Sequence, residues 1–157
     1  TGTGSVLVGY LGSQDPDSDF FDQFLDVVAT LNVGKLSLVF NADLIANRVP
    51  PSTLLASPVT NDDEPNRYFG ASAGAGYTLS DTFRVAGRGE LLVDDDASTK
   101  VYTGTATLDY RPLGNANVVL RLDNRFESSD QKIFIDRDAA PTKHFFQAVV
   151  GIVVTSK

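Results

Sequence analysis

"RVAGRGELLVDDD", residues 84–96, puts Arg84, Arg88, Glu90 and Asp94 at one parity and Val85, Gly87, Gly89, Leu91 and Val93 at the other. Side chains of a strand alternate between two faces, so a period of two sorts this stretch into an ionic face and an uncharged one. A helix would scatter both sets around its circumference. The fold turns on which of the two faces meets water.

Outward from that strand, period two dominates the chain and convincing helical periodicity is scarce. Eight strands are expected, at about Ser5–Gly12, Phe20–Val33, Lys35–Asn47, Arg67–Leu79, Thr82–Asp94, Lys100–Pro112, Ala116–Phe126 and Lys143–Thr155. In the second, "DFFDQFLDVVATLNV", Phe21, Leu25 and Val28 would also suit a helix, but its Val, Thr and Phe content favours a strand.

The connections alternate in length without exception. "NVGK" (32–35), "LSD" (79–81) and "LGN" (113–115) are short. "GSQDPDSD" (12–19), 48–66, "DDDAST" (94–99) and 127–142 are longer and polar. In an up-and-down antiparallel sheet this places all short turns and both termini at one end and all long loops at the other. Outer-membrane barrels, with their even strand counts, are built this way.

The uncharged parity runs Leu36, Leu38, Phe40, Ala42, Leu44; Phe69, Ala71, Ala73, Ala75, Tyr77; Phe83 to Val93; Tyr102 to Tyr110; Val118, Leu120, Leu122; and Phe146 to Val154. The opposite parity carries Asp43, Arg84, Arg88, Glu90, Asp109, Arg111, Arg121, Asp123 and Arg125, a candidate charge network for the lumen of a barrel. Gly70, Ser72, Gly74 and Gly76 leave room beside it for arginine side chains from neighbouring strands. Mid-strand charges are mostly Arg and Asp rather than Lys and Glu, and the planar guanidinium fork is the better partner for a desolvated carboxylate.

Aromatic residues sit at the two ends of the uncharged face. Tyr77, Phe83 and Tyr110 lie near the short turns, and Phe69, Tyr102, Phe126 and Phe146 lie toward the long loops. Two aromatic girdles around an aliphatic band point to lipid outside. Turned toward lipid instead, each mid-plane arginine would cost roughly 2–4 kcal/mol. Four of them would then approach the stability of a whole domain.

The stretch "YFGASAGAGYTLSDTFRVAGRGELLVDDD" resembles the β-barrel porin family of Gram-negative outer membranes. The shared form is a glycine- and alanine-rich strand, a "Y-x-L-x-D" turn (Tyr77, Leu79, Asp81), and an "R-x-E" strand (Arg88, Glu90) ending in Asp94 to Asp96. "ATLDYRPLGNANVVLRLDNRFESSD" continues the likeness through Asp109 to Leu113, Arg121 and Arg125. The resemblance is good over residues 66–157 and generic before them. It implies the outer membrane of a Gram-negative bacterium, with the lipid bilayer and lipopolysaccharide as partners. The family's barrels are typically larger, and their last strand usually ends on an aromatic residue, whereas this chain ends "VVTSK".

Totals set the bounds. The 157 residues suit one domain, 1–157. A net charge of -7 without a basic patch argues against nucleic acid. Without cysteine there is no disulfide framework, thiolate metal site or cysteine nucleophile. The chain begins at Thr1 and lacks methionine, so a processed or excised product is expected. No apolar run is long enough for a membrane helix, but membrane strands need only about 9–11 residues.

The expected architecture is therefore an all-β, eight-stranded antiparallel up-and-down transmembrane barrel with short periplasmic turns and longer external loops. Eight strands enclose only enough space for their own side chains. The expected function is a structural or anchoring barrel with a charged, largely plugged lumen, its loops 48–66 and 127–142 carrying any recognition. One alternative is a porin-like channel for small polar solutes, as a segment of a larger barrel or completed by another membrane chain. A second is a soluble eight-stranded carrier of an apolar ligand.

No enzyme is expected. His144 is the only histidine, and Glu90 with Asp94 or Asp123 sits among arginines, where ion pairing suits carboxylates better than acid catalysis. No metal or cofactor is expected either: the acidic segments at 15–19, 61–64 and 94–96 lack the spacing of a calcium loop.

Overall fold

The computed structural model describes residues 2–14, 21–47, 66–95, 97–112 and 117–154. Its main feature is one sheet made of β1 (Gly2–Gln14), β2 (Phe21–Val33), β3 (Leu36–Asn47), β4 (Asn66–Thr78), β5 (Phe83–Asp94), β6 (Thr99–Tyr110), β7 (Val118–Ser129) and β10 (His144–Val154). Neighbours in sequence are neighbours in space, and every pairing is antiparallel. The helix-like second segment is a strand from Phe21 to Val33. Tertiary pairing on both sides, to β1 and β3, supplies partners for its whole backbone.

Several strand ends differ from the sequence reading, β1 among them at Gly2–Gln14 rather than Ser5–Gly12, and two differences bear on the loop end of the sheet. β7 runs three residues past Phe126, and the connection 127–142 holds a small hairpin, β8 (Phe134–Ile135) with β9 (Pro141–Thr142). Polar composition hid both, because a strand that pairs at a sheet's rim needs no apolar face. Phe134 stacks on Phe145 of β10 with ring centroids 5.9 Å apart, which leans the hairpin toward the strand.

Local chemistry sets the short turns. Gly34 takes φ of +58° in the two-residue link between the paired Val33 and Leu36, a conformation that L side chains resist. Ser80 caps the next turn, its hydroxyl accepting the N–H groups of Thr82 (3.2 Å) and Phe83 (3.1 Å).

Burial is reversed relative to a water-soluble protein. Among the described residues no hydrophobic side chain is buried, and the buried ones are Asp94, Thr99, Thr103, Asp109 and Ser129. Phe146, Val150 and Ile152 are 64%, 80% and 69% exposed. A soluble carrier needs the opposite arrangement. Among the described residues no helix is long and apolar enough to cross a membrane, which has no bearing on strands.

β1 and β10 pair on one side only, so the sheet is not closed. They run antiparallel, and both faces of each are exposed, as Leu7 with Val8 and Val149 with Val150 illustrate.

The ion-paired inner face as a candidate functional site

Register carries the two parities coherently around the sheet. One row reads Val39, Gly74, Arg88, Thr105, Arg125, Gln147 from β3 to β10. The next row toward the long loops reads Asn41, Ser72, Glu90, Thr103, Glu127, Phe145. Toward the short turns, Arg84, Asp109 and Arg121 are cross-strand partners in a third. The apolar parity forms equally continuous rows, such as Tyr77, Val85, Leu108, Leu122, Val150.

Two forms of ion pair hold the inner face. Asp109, 3% exposed, lies between arginines from both flanking strands. Arg121 donates to it through Nε at 2.7 Å and Nη2 at 3.1 Å, and Arg84 Nη1 stands 3.6 Å away. Arg84 also donates to the Ser37 hydroxyl at 3.2 Å, which ties β5 across β4 to β3. The second form lies along a strand: Arg88 meets Glu90 at 2.6 Å on β5, and Arg125 meets Glu127 at 2.6 Å on β7. The spacing of two residues keeps each pair on one face, and the β6 threonines Thr103 and Thr105 separate the two pairs.

Glycine makes the room. A Cβ at Gly76 would overlap the Arg84 guanidinium and come within 2.8 Å of the Ser37 hydroxyl. The small parity of β4 is thus the space into which Arg84 reaches.

Of the residues expected in the lumen, Arg84, Arg88, Glu90, Asp109, Arg121 and Arg125 meet in these pairs. Asp123 accepts the Thr107 hydroxyl. Arg111 lies just past β6, where its main-chain N–H bonds the Thr82 carbonyl at 2.7 Å. Asp43 stands apart on β3, paired in register with Asp26 of β2. Asn41 bridges the two, its amide donating at 2.8 Å to Asp26 and 3.4 Å to Asp43.

Glu127 and Asp26 were not expected in the network. For Glu127 the signal was present: Arg125-x-Glu127 repeats Arg88-x-Glu90. Ending the strand at Phe126 put it in a loop. Asp26 was obscured by the helix-like look of its segment.

Phe69, Tyr77, Phe83, Tyr102, Tyr110, Phe126 and Phe146 share the apolar parity and are all exposed. Phe83 and Tyr110 sit ring to ring at 5.1 Å near the short turns, and Phe126 faces Phe146 in register toward the loops. His144 stacks on Phe126 at 5.8 Å.

A cavity of about 720 Å³ opens on the inner face, lined from Thr30 and Asn32 of β2 round to Gln147 and Val149 of β10. Residues from seven of the eight long strands reach it, so the sheet curls around one space. Among the described residues no cluster of three or more potential ligands could hold a metal ion. Asp94, the described aspartate of the 94–96 run whose role is clearest, accepts the Ala97 N–H at 3.1 Å and caps its turn. The segments 15–19 and 61–64 lie outside the described residues, as do the loop 48–65 and Asp96.

The chain matches the family described as beta-barrel porin-2, OmpL-like, over residues 2–155. No curated protein matches it, and no solved structure does.

Proposed function

Because the chain belongs to this porin-like β-barrel family, we propose that it is an outer-membrane anchoring barrel of a Gram-negative bacterium whose ionic inner face fastens its strands in register. The single observation that supports this is Asp109, almost wholly buried and engaged by arginines from both neighbouring strands. A carboxylate so placed forbids a slip of either strand, since a one-residue slip moves its partners to the other face. The lumen network is Asp43, Arg84, Arg88, Glu90, Asp109, Arg121, Asp123 and Arg125, with Arg111 at its edge. The seven aromatic residues form the girdles at the two membrane interfaces, and lipopolysaccharide and bilayer lipid meet the apolar face.

Lipid offers no partner to an open strand edge, so the free edges of β1 and β10 pair with each other in the membrane. Eight strands then leave a narrow tube. Purified protein refolded into a planar bilayer should give no large, steady conductance steps. Porin-sized steps would replace this reading with a wide channel.

The second reading, a path for small polar solutes, is favoured by the inner cavity and by the accessible guanidiniums within it: Arg88 is 49% exposed and Arg121 40%. Swelling of proteoliposomes in small sugars would support it.

A further inference from the structure

We propose that the inner cavity is a binding site for a small oxyanion, a phosphate, sulfate or carboxylate group, seated between Arg88 and Arg125 over Thr105. The proposal deepens the solute reading above and rests on the chain forming a barrel.

Arg88 and Arg125 stand in one row on strands β5 and β7, with Thr105 of β6 as the register partner of both. Neighbouring strands are about 4.8 Å apart, so two arginine side chains on either side of β6 can close on a single bound group. All three residues line the cavity. Each arginine is tethered at 2.6 Å to the glutamate two residues further along its strand, and the side chains remain 49% and 38% exposed. The glutamates are less exposed, at 26% and 16%, and do not line the cavity. Of these two ion pairs, the space therefore meets the guanidiniums and not the glutamates. Asp123 is the one acid among the described lining residues, and the Thr107 hydroxyl already bonds it.

An independent observation comes from the threonine. Among the described residues, Thr105 Oγ1 is buried and has no hydrogen-bond partner. Buried hydroxyls are almost always satisfied, and leaving one unmade is costly. An oxyanion bridging the two arginines would bring an acceptor to this hydroxyl, completing a site of two charged forks and one neutral donor. The remaining walls suit the rest of a small organic anion: Thr30, Asn32 and Gln147 offer neutral polar groups. The volume, about 720 Å³, lies in the range of small-molecule pockets.

Calorimetric titration of the full chain, refolded in zwitterionic lipid vesicles, with inorganic phosphate and sulfate tests the site. Choline chloride at equal ionic strength gives the screening baseline. Saturable phosphate or sulfate binding is expected above that baseline. Thr105→Val should weaken it roughly tenfold, the loss of one hydrogen bond to a charged group. The same variant should unfold no more easily than the parent without anion, because it removes an unpartnered hydroxyl. Arg88→Gln with Glu90→Gln keeps the strand neutral and should abolish binding. Lys143→Gln, outside the cavity, should leave it unchanged. A barrel that inserts and resists protease yet binds no anion, or binds it equally well as Thr105→Val, overturns the site alone. A chain that fails to insert overturns the barrel reading and the site together.

Discussion

Arg121 grips Asp109 with one edge of its guanidinium, Nε at 2.7 Å and Nη2 at 3.1 Å, from the strand next door. The pair spans the β6–β7 ladder, and Arg84 approaches the same carboxylate from β5 at 3.6 Å. Removing one member of a buried pair strands the other's charge, at about 3–5 kcal/mol where the site is fully enclosed. Asp109 is enclosed, but Arg121 is 40% exposed and Arg84 remains as a partner. Arg121→Ala should therefore destabilise by about 2–3 kcal/mol in urea unfolding from lipid vesicles, and Arg84→Ala by less. Equal costs would show that the bidentate geometry carries no special weight.

Gly76 and Gly89 should respond oppositely to an added methyl. At Gly76 the new Cβ collides with the Arg84 guanidinium and crowds the Ser37 hydroxyl, while at Gly89 nothing lies within 4 Å. Gly76→Ala should cost roughly 1–3 kcal/mol through displacement of Arg84. Gly89→Ala, on the apolar parity, should be neutral or slightly stabilising, since it narrows the unfolded ensemble. Unfolding midpoints of the two variants in the same vesicles check this.

Leu122 lies on the apolar face, partnered by Leu108 and Val150. Leu122→Arg should cost roughly 2–4 kcal/mol if this position meets the bilayer midplane. Gln147→Arg, on the inner parity beside Arg125, should insert normally. Protease protection after refolding into vesicles separates them, and equal insertion would mean that lipid does not cover the apolar rows.

Closure of the sheet is testable by cross-linking. Barrel strands tilt, so the seam is staggered by about eight residues in an eight-stranded barrel. Without stagger, the row from Val8 ends at His144. A shift of that size brings Val8 opposite Ile152, and the reverse shift leaves β10 altogether. Val8→Cys with Ile152→Cys should oxidise to a disulfide within one chain in vesicles. A disulfide between chains would show that a second copy completes the sheet.

Much of this protein was legible in its sequence because a strand's period of two writes burial directly into the order of residues. Arg84, Arg88 and Glu90 against Val85, Leu91 and Val93 announced two faces, and the alternation of short and long connections gave the up-and-down order. The Arg-x-Glu spacing is common to both in-strand pairs, though the polar end of β7 hides Glu127 in what reads as a loop. Asp26 shows the limit more sharply: in a segment whose pattern suits helix or strand, only pairing to β1 and β3 fixes its face.

What the residues alone determined, then, is which side chains share a face, since alternation is a local property of extended backbone. Tertiary structure decided which of them touch. That Arg121 and Arg84 converge on Asp109, that Thr105 lies between Arg88 and Arg125, and that Gly76 makes way for Arg84 all depend on register between strands. Register is set by the ladder as a whole, through contacts between residues far apart in the chain, and no single strand contains it.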